Sequence, residues 1–203
     1  MKKILIVMSL IFSVVLFSNY IDPNIAAQEK KLPFSIKDFF CFEENTKYVY
    51  EGKGNEYATY DILVEYLTGN RVQLRSNNGG TEMVKVLENK DGKLTMLLSK
   101  TEFYDREDLT KNPSENEEIL LQEPLVTGTS WILADNRKRY ISNVEREVIT
   151  PLGKYNTIEV TTEGEEYKIV DYYAVNVGLV KTIFISNGNE ISSSLSKIEK
   201  PFH

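Results

Sequence analysis

The sequence predicts a mainly β protein built as one antiparallel, strongly curved meander sheet or partly open barrel. Three observations predict it. Short apolar and polar alternations recur from Thr46 to Ile198, Gly, Asn and Asp turn signals separate them, and no stretch after the N-terminal segment holds a sustained 3.6-residue period. Strands of about eight to twelve residues suit a curved meander better than a tight sandwich, whose strands are usually shorter.

Residues 1–27 read as a signal peptide. Lys2 and Lys3 form a positive start, Ile4 to Phe17 is apolar apart from Ser9 and Ser13, and Ser18 to Ala27 is more polar. The apolar run falls short of the roughly 20 residues that span a hydrocarbon core, so cleavage after Ala27 is expected rather than a stable membrane span. A lipid anchor needs a cysteine directly after the apolar run, and the single cysteine is Cys41. These features point to a secreted protein or the extracytoplasmic face of the cell envelope.

Residues 28–45 form an N-terminal packing segment. Pro33 biases Leu32 toward an extended conformation, and Phe34, Ile36, Phe39, Phe40 and Phe42 are too many apolar side chains for a solvated tail. A short helical turn packed on the sheet is expected here, with Cys41 a small buried hydrophobe among the phenylalanines.

From residue 46 to 203 a single β domain is expected. Hairpin turns fall at Thr68-Gly69-Asn70, Asn77 to Gly80, Lys90-Asp91-Gly92, Glu163-Gly164-Glu165 and Ser186 to Asn189, where residues accept positive φ. Val72 and Leu74 alternate with Arg71, Gln73 and Arg75, which reads as one buried and one wet face. Val144 and Val148 alternate less cleanly with their polar neighbours. An acidic loop over 104–118, rich in Asp and Glu around Pro113, has no apolar period and reads as solvated. It separates two halves in which Thr46 to Tyr50 resembles Thr129 to Leu133, as a duplicated half-sheet would produce, or as two unrelated strands would that each begin with Thr and an aromatic.

Composition removes several functional classes. A net charge of −6 disfavours nucleic acid, whose phosphates need a cationic face. One cysteine excludes an intramolecular disulfide, and one histidine at the C-terminus, His203, leaves no base for a triad and no zinc cluster. The acidic loop lacks the spacing of a calcium-binding hand, so no metal site and no cofactor are expected. Glu145, Glu147, Glu159 and Asp171 lie in predicted strands, where carboxylates mostly form a solvated face; a catalytic pair among them is the lesser reading.

Tyrosines crowd the first strands. Tyr48, Tyr50, Tyr57 and Trp131 are the candidate ligand-binding residues, because aromatic walls with few polar groups define apolar pockets; buried cross-strand pairs and a core anchor at Trp131 are the plainer alternatives.

Two further stretches stand out: Thr150-Pro151-Leu152-Gly153-Lys154-Tyr155, and Tyr172-Tyr173-Ala174 followed by Val177-Gly178-Leu179-Val180-Lys181. On these the chain resembles small uncharacterised exported proteins of Gram-positive bacteria that share a Thr-Pro-x-Gly-x-Tyr turn and a Tyr-Tyr-Ala-x-x-Val-Gly-Leu-Val-Lys strand. The resemblance covers Gly128 to Lys181, and its motifs look structural. A curved half-barrel of this kind also looks like the bacterial lipoprotein carriers, in architecture alone. The expectation is a non-enzymatic extracytoplasmic binding protein that holds an apolar ligand or an envelope partner on a concave sheet face. The alternatives are an envelope interaction protein without a pocket, a carboxylate-dependent glycan hydrolase, and self-association through edge strands.

Overall fold

The structure, a computed structural model, describes residues 33–201; the expected signal peptide and cleavage point lie outside the described residues. Twelve strands form one antiparallel sheet. The first half of the chain contributes β1 (Lys47–Lys53), β2 (Tyr60–Thr68), β3 (Arg71–Asn77), β4 (Glu82–Lys90), β5 (Lys93–Thr101) and β6 (Glu118–Gln122). The second contributes β7 (Ser130–Ile132), β8 (Lys138–Ile149), β9 (Lys154–Glu163), β10 (Tyr167–Ala174), β11 (Gly178–Ser186) and β12 (Asn189–Glu199).

Each half is a six-strand meander. The halves join at the centre of the sheet, where β1 pairs with β12, so β6 and β7 become the two edges. The turn residues explain the register: Asp91-Gly92 and Asn187-Gly188 both have positive φ at both positions, the two-residue geometry whose twist matches the flanking strands.

The two halves also begin alike. Asn45 and Gly128, both at positive φ, donate to the carbonyls of Val64 and Ile141, and those residues donate back to the carbonyls of Thr46 and Thr129, all at 2.8 to 2.9 Å. Tyr48 and Trp131 follow at the same step, opposite Ile62 and Arg139. What differs is the closure. A barrel needs β6 to pair with β7, and no such ladder exists. Instead Trp131 Nε1 and Arg139 Nη1 both donate to the Ile119 carbonyl, at 3.0 and 2.7 Å, and Arg139 Nη2 pairs with Glu118 at 2.6 Å. Side chains clasp a sheet that the backbone leaves open.

The concave face holds the main core, which draws on both halves, including Val64, Val72, Leu121, Ile141, Val160 and Leu195. The N-terminal segment closes one end. A single 3-10 turn, Ile36–Phe39, buries Ile36 and Phe39, and its Asp38 carbonyl accepts from Asn176 N at 2.8 Å. Gly178, at φ +87°, lies under Phe39; a Cβ there would sit 3.4 Å from the Phe39 carbonyl.

Two sequence expectations fail on the convex face of the first half. Arg71, Gln73 and Arg75 are not a wet face, because residues 102–117 fold back over them. Arg75 donates to the carbonyls of Phe103 and Asp105 and to Glu65 and Glu82; Gln73 exchanges hydrogen bonds with Glu107 O and Leu109 N; Arg71 reaches Thr110 O and Asn112 O. Nor is the loop wholly solvated. Most of its acidic side chains do face water, but Leu109 is 1% exposed and forms a second core with Val84, Val86, Leu97 and Leu98. The long polar side chains of β3 take up the loop's backbone groups, which no strand partner could satisfy.

Candidate functional site

The concave face is not filled. Between the N-terminal turn and the opposite rim of the sheet lie two cavities of ≈ 130 and ≈ 420 Å³, whose walls share Ile62, Leu74, Lys85, Leu120, Tyr173 and Leu179. Together they form one chamber with unlike ends. The inner, smaller end is apolar, walled by Phe39, Phe42, Leu87, Leu94 and Met96. The larger, outer end adds Ser76, Glu118, Arg139, Asp171 and Thr182 and opens past Tyr57, Asn78 and Thr81. The inner volume approaches the roughly 150 Å³ that accommodates a benzene-sized group, and the outer falls in the range of ordinary ligand pockets.

Strand alternation aims these groups inward. On β10, Ile169, Asp171 and Tyr173 share a face with Thr162, Val160 and Ile158 of β9, their direct cross-strand partners. Asp171 therefore faces the interior, not solvent outside the sheet as expected from its strand position. Its Oδ1 accepts from Thr182 Oγ1 at 2.7 Å. Burial pushes its carboxyl above the ordinary aspartate range, against the Thr182 hydrogen bond and the cations Arg139 and Lys85. Burial also raises the phenols of Tyr60 and Tyr173, with Asp171 adding to both.

The four aromatic candidates part company. Tyr48 and Tyr50 are buried and line the apolar end. Tyr50 stacks on Tyr60, 4.8 Å between centroids, and donates to Leu179 O at 2.8 Å; burial holds its phenol well above the usual range. Tyr57 stands at the outer rim, 59% exposed. Trp131 is in the clasp between the edges and does not line the chamber. Lys85, Arg139 and Asp171 were not singled out as binding residues. Their signal was weak: Lys85 and Asp171 are single charged residues between apolar neighbours, and Arg139 ends the cationic run Arg137-Lys138-Arg139.

Lys85 is distinctive. It projects from β4 opposite Leu74, lines both parts of the chamber, and makes no hydrogen bond or ion pair among the described residues. Arg139, 4% exposed, is committed to Glu118, Thr162 and Ile119. Glu118 and Asp171 line the same space, but Glu118 is held by Arg139 and, at 3.7 Å, by Arg137. Among the described residues no group of three or more His, Cys, Asp or Glu could hold a metal ion, and no helix is long and apolar enough to cross a membrane. Cys41 is half-buried, its thiol raised mainly by burial and 3.3 Å from the Asp38 carbonyl.

No family of known sequences and no curated protein matches the chain. Two solved structures are similar. A protein from Bacteroides fragilis described as exported, with a YmcC-like fold, is 14% identical over 80% of this chain and 99% of its own, with a TM-score of 0.45. A protein from Parabacteroides distasonis described as a lipoprotein is 13% identical over 77% of this chain and 96% of its own, with a TM-score of 0.44.

Proposed function

We propose that the protein is an extracytoplasmic binding protein that holds an apolar or amphipathic ligand inside the curved sheet. The observation that carries this reading is the chamber, apolar at its inner end and polar at its mouth. Unfilled apolar space costs stability, roughly 20 cal/mol per Å² of cavity surface, and a bound apolar group recovers that loss. The extracytoplasmic part of the reading rests on the Lys2-Lys3 and Ile4 to Phe17 pattern.

Native mass spectrometry of the protein from its own secretion route, with displacement of an anilinonaphthalene sulfonate probe, tests it. The expected result is a retained small molecule or saturable probe binding, abolished when Leu120→Trp fills the wall shared by both cavities. A bare mass together with no probe binding overturns it.

Asp171 and Glu118 in one cleft keep glycan hydrolysis as a second reading. The two separate cleanly. Asp171→Asn leaves probe binding in place under the first and abolishes turnover of cell-wall glycan under the second.

A further inference from the structure

The chamber is lined by two cations, Lys85 and Arg139, and two carboxylates, Glu118 and Asp171, and they do not all pair. Arg139 and Glu118 neutralise each other at 2.6 Å, and Asp171 is already bound to Thr182 with no cation within ion-pair distance. Lys85 is left over. Its ammonium is a strongly hydrated point charge, and the exposed side chain shares the chamber wall with Leu74, Leu87 and Leu120 where the apolar and polar parts meet. Lys85 is exposed, so an ion pair made there meets water on one side and apolar wall on the other, and contributes on the scale of a partly screened pair.

We propose that the ligand is an anionic amphiphile with one apolar tail, its negative head group paired with Lys85 and its tail lying under Phe39 against Leu94 and Met96. The position of Lys85, on the boundary between the two cavities, fixes the orientation: tail inward, head toward the mouth beside Thr182 and Ser76. Asp171 sets a limit on the head. Its carboxyl is pushed up by burial and so resists ionisation, which reduces its repulsion of an incoming anion. A doubly charged head meets more of that repulsion than a singly charged one, so a carboxylate or monoester sulfate suits the site.

This inference rests on interior binding, and the test separates the two. Isothermal titration compares three probes of equal chain length, dodecanoate, dodecanol and dodecyltrimethylammonium, on the wild-type chain and on Lys85→Gln, Lys85→Arg and the surface control Lys93→Gln. The expected result is dodecanoate bound about two- to fivefold more tightly than dodecanol. Lys85→Gln removes that preference, Lys85→Arg restores it, and Lys93→Gln has no effect. Equal binding of dodecanoate and dodecanol, preference for the cation, or a dodecanoate preference that survives Lys85→Gln overturns the assignment to Lys85 while interior binding stands. If none of the three binds, both readings fall.

Discussion

The two halves of the sheet have the same strand sequence and opposite treatments of their convex faces. In the first, β5 and β6 are joined by residues 102–117, which fold over the sheet and bury Gln73, Arg75 and Leu109. In the second, the matching strands β11 and β12 are joined by Asn187-Gly188 alone, and Arg146 meets water directly. A polar strand face is therefore not a solvated face by nature. Its burial depends on whether a neighbouring connection is long enough to reach it.

The largest expected effect breaks the covered half. Arg75→Met takes the cation from the nearly buried Glu65 carboxylate, which keeps the hydrogen bond from Gln73 Nε2, and frees two loop carbonyls; a loss of about 3 kcal/mol is expected in urea denaturation. Arg146→Met is its counterpart in the open half: that side chain is 57% exposed, and the change stays within about 0.5 kcal/mol. Next comes Leu109→Ala. A cavity in the second core costs about 2 to 4 kcal/mol, and hydrogen exchange quickens in β3 to β5 before it does in β9 to β11.

A smaller change sharpens the comparison at the junctions. Trp131→Phe removes one of two donors to Ile119 O and costs about 1 kcal/mol, whereas Tyr48→Phe at the matching step loses only a 3.4 Å contact to Cys41 O and costs less. The smallest effect is pH-dependent. Because the folded Asp171 resists ionisation more than the unfolded one, its contribution falls as pH climbs from about 4, the ordinary aspartate value, through its raised folded value. Asp171→Asn flattens that slope, which denaturation midpoints across acidic to neutral pH will read.

Much of this fold was legible in the residues. Asp91-Gly92 and Asn187-Gly188 set hairpins because few other pairs tolerate positive φ twice, and the five turn signals all fall between strands. The β8 alternation reads poorly because its pairing with β9 slips twice, between Ile141 and Arg146. Covering of β3 was not legible, since alternation reports which side chains share a face and not what lies on it. The site was half legible for the same reason. Tyr48 and Tyr50 were visible as an aromatic cluster, but Lys85 and Asp171 come from different halves, and only the curvature of the sheet brings them to one chamber.

The pairing of β1 with β12 has a consequence in time. Lys47 lies opposite Glu199, so nearly the whole described chain is one loop closed by that ladder. A chain emerging N-terminus first completes β1 to β6 with one flank of β1 bare until the last strand arrives. Slow, late zipping is the cost of so non-local a contact. Lys47, Glu51 and Lys53 place charge along that waiting strand, and charge is what keeps a bare flank from joining the wrong neighbour.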